Sequence, residues 1–368
     1  MTPGAGDALP LDCAPGATLV ALMQQAAPNL KDLDPPGLRE RLAAEGVAPY
    51  RADQILAWLY ARGIDDLREM TDLSRELRDR LASSWRTRAL ETVALQRSTD
   101  GTRKAVLRGE DGALLESVLI PDDDRTTLCI STQVGCPLAC SFCATGAMGF
   151  TRNLTTAEIV DQVCRMREAL APDERITNVV FMGMGEPLLN LPAVLRAIRI
   201  LMHPRAFNFA GRRITVSTAG VVPKIRPLLD GAPVNLAVSL HATTDALRDE
   251  LVPLNRSFPL GMLLGELRNL EGVSPRRPVF FEYTLLAGVN DAPEDAERLL
   301  VLLRGLPSKL NVIPVNPHPG SPYRTPGAEA TDRFLGILSR GGMTVTLRRS
   351  RGADIDAACG QLAVRGAA

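Results

Sequence analysis

Three cysteines crowd the segment Gly135-Cys136-Pro137-Leu138-Ala139-Cys140-Ser141-Phe142-Cys143, spaced Cys-x3-Cys-x2-Cys. The chain spends three of its seven thiols on this one loop. Thiolates at such spacing serve a single metal centre. Structural zinc normally takes four ligands, usually as two separated pairs, and no fourth ligand lies nearby, since His203 and His241 are distant in sequence. A [4Fe–4S] cube also normally takes four thiolates. With three, one iron keeps an open coordination position, and an open position on a metal marks a substrate-binding centre.

Other residues with chemical capacity sit at defined places. Cys359 lies nine residues from the C-terminus in "DIDAACGQL", with Gly360 beside it to let the backbone turn. Small or polar groups follow several apolar runs. After "NVVFM" comes Gly183-Met184-Gly185-Glu186-Pro187, whose glycines permit close backbone approach to a ligand and whose Glu186 offers a carboxylate to an amino group. Ser217 and Thr218 follow "RRITV". Ser239, Leu240 and His241 follow "VNLAV", and Asn316 follows "KLNVIPV". Taken singly, a Gly-Met-Gly turn is ordinarily just a turn, and a histidine at a strand end is ordinarily a hydrogen-bonded structural residue. Their shared placement points to one ligand-binding face.

The elements that position these residues alternate. Strands are expected at "TTLCIST", "ITNVVFMG", "RRITVST", "VNLAVSL", "PVFFEYTLL", "KLNVIPV" and "MTVTLR". Helical segments such as "TTAEIVDQVCRMREAL", "NLPAVLRAIRILM" and "APEDAERLLVLLRGL" lie between them. Such alternation implies an α/β fold with right-handed crossovers and a parallel sheet. The span falls somewhat short of the ~250 residues of a complete eight-unit barrel. It fits a partial (β/α)6 barrel of the TIM type, with a doubly wound open sheet as the rival. Active sites on β/α barrels lie at the C-terminal ends of the strands, where the small and polar groups stand.

Upstream, "YRADQILAWLYARG" and "MTDLSRELRDRLASSW" carry apolar residues at helical spacing, with Thr71 or Asp72 as expected N-caps. The runs "TVALQRS", "RKAVLRG" and "LLESVLIP" alternate with period two and are joined by "TDG" and "GEDG" turns, the pattern of hairpins. The expected organisation is a flexible leader over 1–28 and a small helical domain over 29–90. A β-extension follows over 91–121, then a core over 122–355 and a tail over 356–368.

Net charge is zero, from 42 basic and 42 acidic residues, so composition alone does not mark a nucleic-acid binder. Arginine clusters at Arg212-Arg213, Arg276-Arg277 and Arg348-Arg349-Ser350-Arg351 suit phosphates, but on charge alone solvated faces are the preferred explanation and RNA binding needs other support. No apolar run is long enough for a membrane span. The acidic N-terminus, with Asp7 and Asp12, is wrong for a secretory signal. An odd, clustered set of cysteines argues for a reducing compartment, and the expected location is cytoplasmic.

The CxxxCxxC spacing after the first barrel strand resembles the signature of the radical S-adenosylmethionine enzymes. The segments "ESVLIPDDDRTTLCISTQVGC", "ITNVVFMGMGEPLLN", "SLHATTDALRDELVPLN" and "RGADIDAACGQLA" resemble the RlmN/Cfr family more narrowly, over roughly Tyr50 to Ala363. The resemblance implies a [4Fe–4S] cluster held by Cys136, Cys140 and Cys143, one per chain, with two S-adenosylmethionine molecules used per turnover. It places Gly185, Glu186, Ser217, Ser239, Leu240, His241 and Asn316 at S-adenosylmethionine. Cys359 is implied as the methyl-accepting thiol, passing through S-methylcysteine. Cys129 is implied as the resolving thiol, in transient disulfide with Cys359, and Glu116 as proton acceptor. Met182 packs near the reacting groups in this scheme, and Cys13 and Cys164 receive no role.

The activity so implied is methylation of adenine C2 in 23S rRNA and in tRNA, through a covalent protein–RNA adduct. Implied partners are these RNAs and an electron donor such as flavodoxin. No membrane is involved and a monomer is expected. Residues 29–90 resemble the family's RNA-gripping accessory domain, with Arg348, Arg349 and Arg351 as phosphate contacts. Rival readings are methylation at adenine C8, an iron–sulfur electron-transfer protein without catalysis, and a radical enzyme of another reaction type. Without the resemblance, Cys129 reads as a small buried hydrophobe and Glu116 as a solvated strand residue.

Overall fold

The computed structural model describes residues 27–364. The expected leader therefore lies almost wholly outside the described residues, as does Cys13. Twelve strands are present among the described residues: β1 Leu90–Arg97, β2 Arg103–Gly109, β3 Leu114–Asp122, β4 Arg125–Cys129, β5 Gln133–Gly135, β6 Phe150–Asn153, β7 Asn178–Phe181, β8 Ile214–Thr218, β9 Asn235–Ser239, β10 Val279–Leu285, β11 Ser308–Pro314 and β12 Val345–Leu347.

Ten of them form one open sheet in the order β1-β2-β3-β4-β7-β8-β9-β10-β11-β12. Strands β4 and β7 to β12 run parallel, each beside its successor. Strand order never reverses, whereas a doubly wound sheet would reverse at a switch point. The singly wound partial barrel is therefore the architecture. Helices Thr156–Arg167, Leu191–Met202, Val222–Gly231, Leu260–Arg268, Pro293–Leu302 and Ala328–Arg340 fill the crossovers. The helix Leu191–Met202 shows why they pack: Val194, Ala197, Ile198 and Leu201 fall on one face and are fully buried. Its Arg196 and Arg199 stay partly exposed on the other face.

The hairpins β1–β2 and β2–β3 join the barrel through an antiparallel β3–β4 ladder. The extension is thus an outward continuation of the barrel sheet. Helical turns between Leu30 and Ser84 precede it. The helix Arg75–Ser84 is capped by Ser74, whose hydroxyl accepts the Leu77 N–H, not by Thr71 or Asp72. Asp72 is occupied elsewhere, accepting the Trp58 indole N–H.

One element escaped the sequence reading. Strands β5 and β6 pair antiparallel and bracket the cysteine loop. Their arms cross so closely that a Cβ on Gly135 would lie 1.9 Å from the Gly149 carbonyl oxygen. Strands of three and four residues, one ending in glycine, leave no alternating pattern to find. Among the described residues no helix is long and apolar enough to cross a membrane.

Candidate active site

The C-terminal ends of the parallel strands surround a cavity that is open at its mouth. Cys136, Cys140, Cys143, Gly185, Glu186, Ser217, Ser239, His241, Asn316 and Cys359 all line it. A second cavity adjoins it between β3–β4 on one side and β11 with the tail on the other. Cys129 and Arg348–Arg351 line the second cavity. Cys143, Met182, Asn316 and Cys359 border both. Of the thirteen site residues expected, ten line the first cavity and Cys129 lines the second, leaving Leu240 and Glu116 off both walls.

Local structure sets each group. The cysteine loop turns on Ala139 in the left-handed region (φ 51°) and is tied down by the Ser141 N–H to Leu251 O at 3.1 Å. Burial pushes the Cys136 thiol up to about 12, and the Cys140 thiol well up too, with Cys143 and Glu186 adding negative charge beside both. Such thiols shed their protons only to a cationic centre. Three thiols from one loop suit a [4Fe–4S] cube that keeps one iron open, whereas structural zinc normally takes four ligands.

Gly185 sits at φ 100°, and a Cβ there would fall 2.6 Å from the Gln133 side chain. That close fit lets Gln133 Oε1 accept the Glu186 N–H at 2.8 Å. The Glu186 carboxylate accepts the Leu188 and Ala219 N–H groups at 3.0 and 2.8 Å. Burial nevertheless raises it to about 7, against the lowering effect of those bonds. His241 adopts φ 58°, a strained conformation for a non-glycine residue. Its Nδ1 accepts the Thr284 N–H at 3.0 Å, so the proton of the neutral ring lies on Nε2. Burial, with the nearby Arg248, lowers its pKa to about 3, which keeps the ring neutral.

Asn316 holds the tail: its amide donates to Cys359 O at 3.2 Å and its oxygen meets the Ser350 hydroxyl. Cys359 is exposed to the cavities yet deeply surrounded, and burial raises its thiol pKa while Arg348 opposes that rise. Cys129, buried at the end of β4, is pushed up to about 12 by burial and by the neighbouring Cys359, with Arg348 again acting the other way. Both thiols are free.

Three expectations change. The Leu240 side chain is fully buried in the core, and its backbone N–H donates to Glu282 O at 2.9 Å. Glu116 is neither solvated nor on a cavity wall. It is fully buried, 3.1 Å from Lys104 Nζ, and accepts the Ala363 N–H at 2.9 Å. Arg348 lines both cavities, near Cys129, Cys359 and Glu282, whereas Arg349 and Arg351 line only the second. Sequence reasoning also passed over Glu282, a buried carboxyl on the cavity wall with one oxygen bonded to Asn311 and the other without a partner. An acidic residue within the apolar run "PVFFEYTLL" was the available signal.

Comparison with known proteins agrees with this geometry. Residues 28–86 match the model of the ribosomal RNA large subunit methyltransferase N-terminal domain, and residues 130–300 match the radical SAM superfamily. The dual-specificity RNA methyltransferase RlmN of Geobacter sulfurreducens is 52% identical over 334 residues, covering 91% of each chain. The chain belongs to the RlmN family. The RlmN of Anaeromyxobacter dehalogenans is 48% identical over 94% of both chains. A radical SAM methyltransferase from Sphaerobacter thermophilus superposes with a TM-score of 0.86 at 49% identity, over 91% of this chain and 99% of that one. Membership in the RlmN family implies a [4Fe–4S] cluster and S-adenosylmethionine, which the three-thiol loop and the adjoining cavity fit.

Proposed function

We propose that this protein is a radical S-adenosylmethionine methyltransferase that places a methyl group on C2 of adenine in 23S rRNA and in tRNA. One observation carries the reading: Cys359 borders both cavities, between the cluster cysteines on one side and Cys129 on the other. The names of its relatives support RNA as substrate and two kinds of RNA target.

Cys136, Cys140 and Cys143 hold one cluster per chain. Gly185, Glu186, Ser217, the Ser239–His241 segment and Asn316 surround S-adenosylmethionine, two molecules of which are used per turnover. When bound, these groups supply the transferable methyl and the radical that activates it. The chain's own residues do the rest. The Cys359 sulfur accepts the methyl group and carries it as S-methylcysteine. Once that carbon is joined to the adenine ring, the radical adduct gives up one electron, which the bound cluster would take back, and Glu116 takes the ring proton. The Cys129 thiolate then attacks the Cys359 sulfur: a sulfur–sulfur bond forms and the carbon–sulfur bond breaks. The electron pair stays on the RNA-bound carbon, which takes up a proton to become the methyl group.

Residues 29–90 serve as an RNA-gripping domain, with 91–121 as an extension, 122–355 as the catalytic core and 356–368 as the thiol-bearing tail. Arg349 and Arg351 face RNA phosphates. The electron donor is a flavodoxin-like protein, and the enzyme works as a cytoplasmic monomer. Nucleoside analysis of RNA treated with the anaerobic holoenzyme tests the reading. The expected product is 2-methyladenosine, abolished in Cys359→Ala and retained on a covalent protein–RNA adduct in Cys129→Ala. Methylation that survives Cys359→Ala would sink the scheme, and 8-methyladenosine would move the reaction to the other ring carbon.

A further inference from the structure

Apart from Glu116 on β3, the extension β1–β3 has no role in the chemistry above, yet it grips the tail at several points. At the β1–β2 turn, Asp100 Oδ2 accepts the Gly352 N–H at 2.9 Å. The Ser98 hydroxyl donates to Asp354 Oδ1 at 2.6 Å, and the Thr99 N–H donates to Asp354 Oδ2 at 3.2 Å. Along β2, the ammonium of Lys104, only 2% exposed, donates to Asp356 O at 3.2 Å. The same ammonium lies 3.1 Å from Glu116 Oε1, an oxygen that has no hydrogen-bond donor of its own. Glu116 Oε2 in turn accepts the Ala363 N–H. One buried ion pair therefore straddles the thiol: its cation holds the chain three residues before Cys359, and its anion holds the chain four residues after.

We infer that the β1–β2 hairpin is the seat of the thiol-bearing tail and that Lys104 is a positioning residue of the reaction. Lys104 fixes the spacing between the carboxylate and the tail by binding both. The segment it holds is not at rest by itself, because Asp356 is kept at φ 52°, a left-handed conformation that costs a non-glycine residue energy. Gly352 fits under the same hairpin so tightly that a Cβ would lie 2.8 Å from Thr102 and from Ala357.

This inference rests on the reading of Cys359 as methyl carrier, and the test keeps the two apart. Hydrogen exchange of the Asp354–Leu362 peptide in anaerobic full-length holoenzyme reads the seat directly. In Lys104→Met that peptide is expected to exchange about tenfold faster, the loss of one charge-assisted hydrogen bond. The variant should also release more 5′-deoxyadenosine per methylated adenosine, because the radical forms while the thiol strays. Lys104→Arg should restore part of both. Lys104→Met strands a carboxylate in the interior, so Asp100→Asn probes the same seat without touching the ion pair. Parental exchange in both variants overturns the inference, and so does faster exchange with a parental product ratio. If Cys359→Ala still methylates RNA, the methyl-carrier reading fails, while the exchange comparison still decides the seat.

Discussion

Cys129 is held in a resting state that its proposed duty must undo. Burial and the adjacent Cys359 push its pKa up to about 12, so at neutral pH it is a thiol and a poor nucleophile. Alkylation of Cys129 in the folded protein, followed by peptide mass spectrometry, should therefore be slow at pH 8. It should climb with each added pH unit without levelling off by pH 10, where an ordinary thiol of pKa ~8.5 has already levelled. Arg348, which borders both cavities, is a cation that works against this rise at both thiols. Gly185 makes a second residue-scale case. Gly185→Ala must adopt φ 100° and drive a methyl group into Gln133, which orients Glu186. A strain of about 1–3 kcal/mol is expected, read as a lower melting temperature and weaker S-adenosylmethionine binding by calorimetry.

The helix Thr156–Arg167 docks the N-terminal segment onto the barrel. Lys31 Nζ, fully buried, lies 2.6 Å from Asp161 Oδ1 and 2.8 Å from Asp65 Oδ1, and Arg165 also pairs with Asp65. The other Asp161 oxygen accepts the Ala89 and Leu90 N–H groups at 2.9 Å, where the chain enters β1. Removing one member of a buried pair costs roughly 3–5 kcal/mol, so Asp161→Ala should lose stability of that order in urea denaturation. Burial alone would raise the Asp161 pKa, but Lys31 and Arg165 outweigh it and the net shift is downward. A lowered carboxyl contributes stability above its unfolded pKa and loses it as pH falls through the folded one. Asp161→Asn should accordingly flatten the acid limb of the stability profile below about pH 4 and leave the neutral-to-alkaline limb parallel to the parent. The parallel strands and both hairpin turns were legible from apolar runs and from "TDG" and "GEDG", because those signals are local. The docking of Lys31 on Asp161 was not, because the partners are 130 residues apart and lysine carries no mark of its burial.

At the scale of the molecule, the partial barrel is an open sheet, and the tail lies between its first and last parallel strands. The tail also reaches the cysteine loop: Gly360 O accepts the Ala144 N–H at 2.8 Å, and Leu362 O accepts the Thr145 hydroxyl at 2.6 Å. A chain stopped after Arg351 keeps all three cluster cysteines and every strand, so it should still assemble iron–sulfur under anaerobic conditions. Its visible absorbance should bleach faster in air than the parent's, and it should methylate no RNA. The cysteine loop and the polar strand ends were legible because the barrel sends every strand end to one face. The seat of the tail was not, since Lys104 and Asp356 meet across 252 residues through a backbone carbonyl that any residue type would present.

The tail is fastened by side chains and by one backbone bond to the cysteine loop, instead of by strand pairing. A paired strand lets go only when several backbone bonds break together, whereas separate clasps worth about 0.5–1.5 kcal/mol each open one at a time. A clasp of that strength stands open roughly a tenth to a third of the time, so the sulfur can travel a short way without the barrel coming apart. A cargo arm handed from one chamber to the next is better served by such a row of snaps than by a seam.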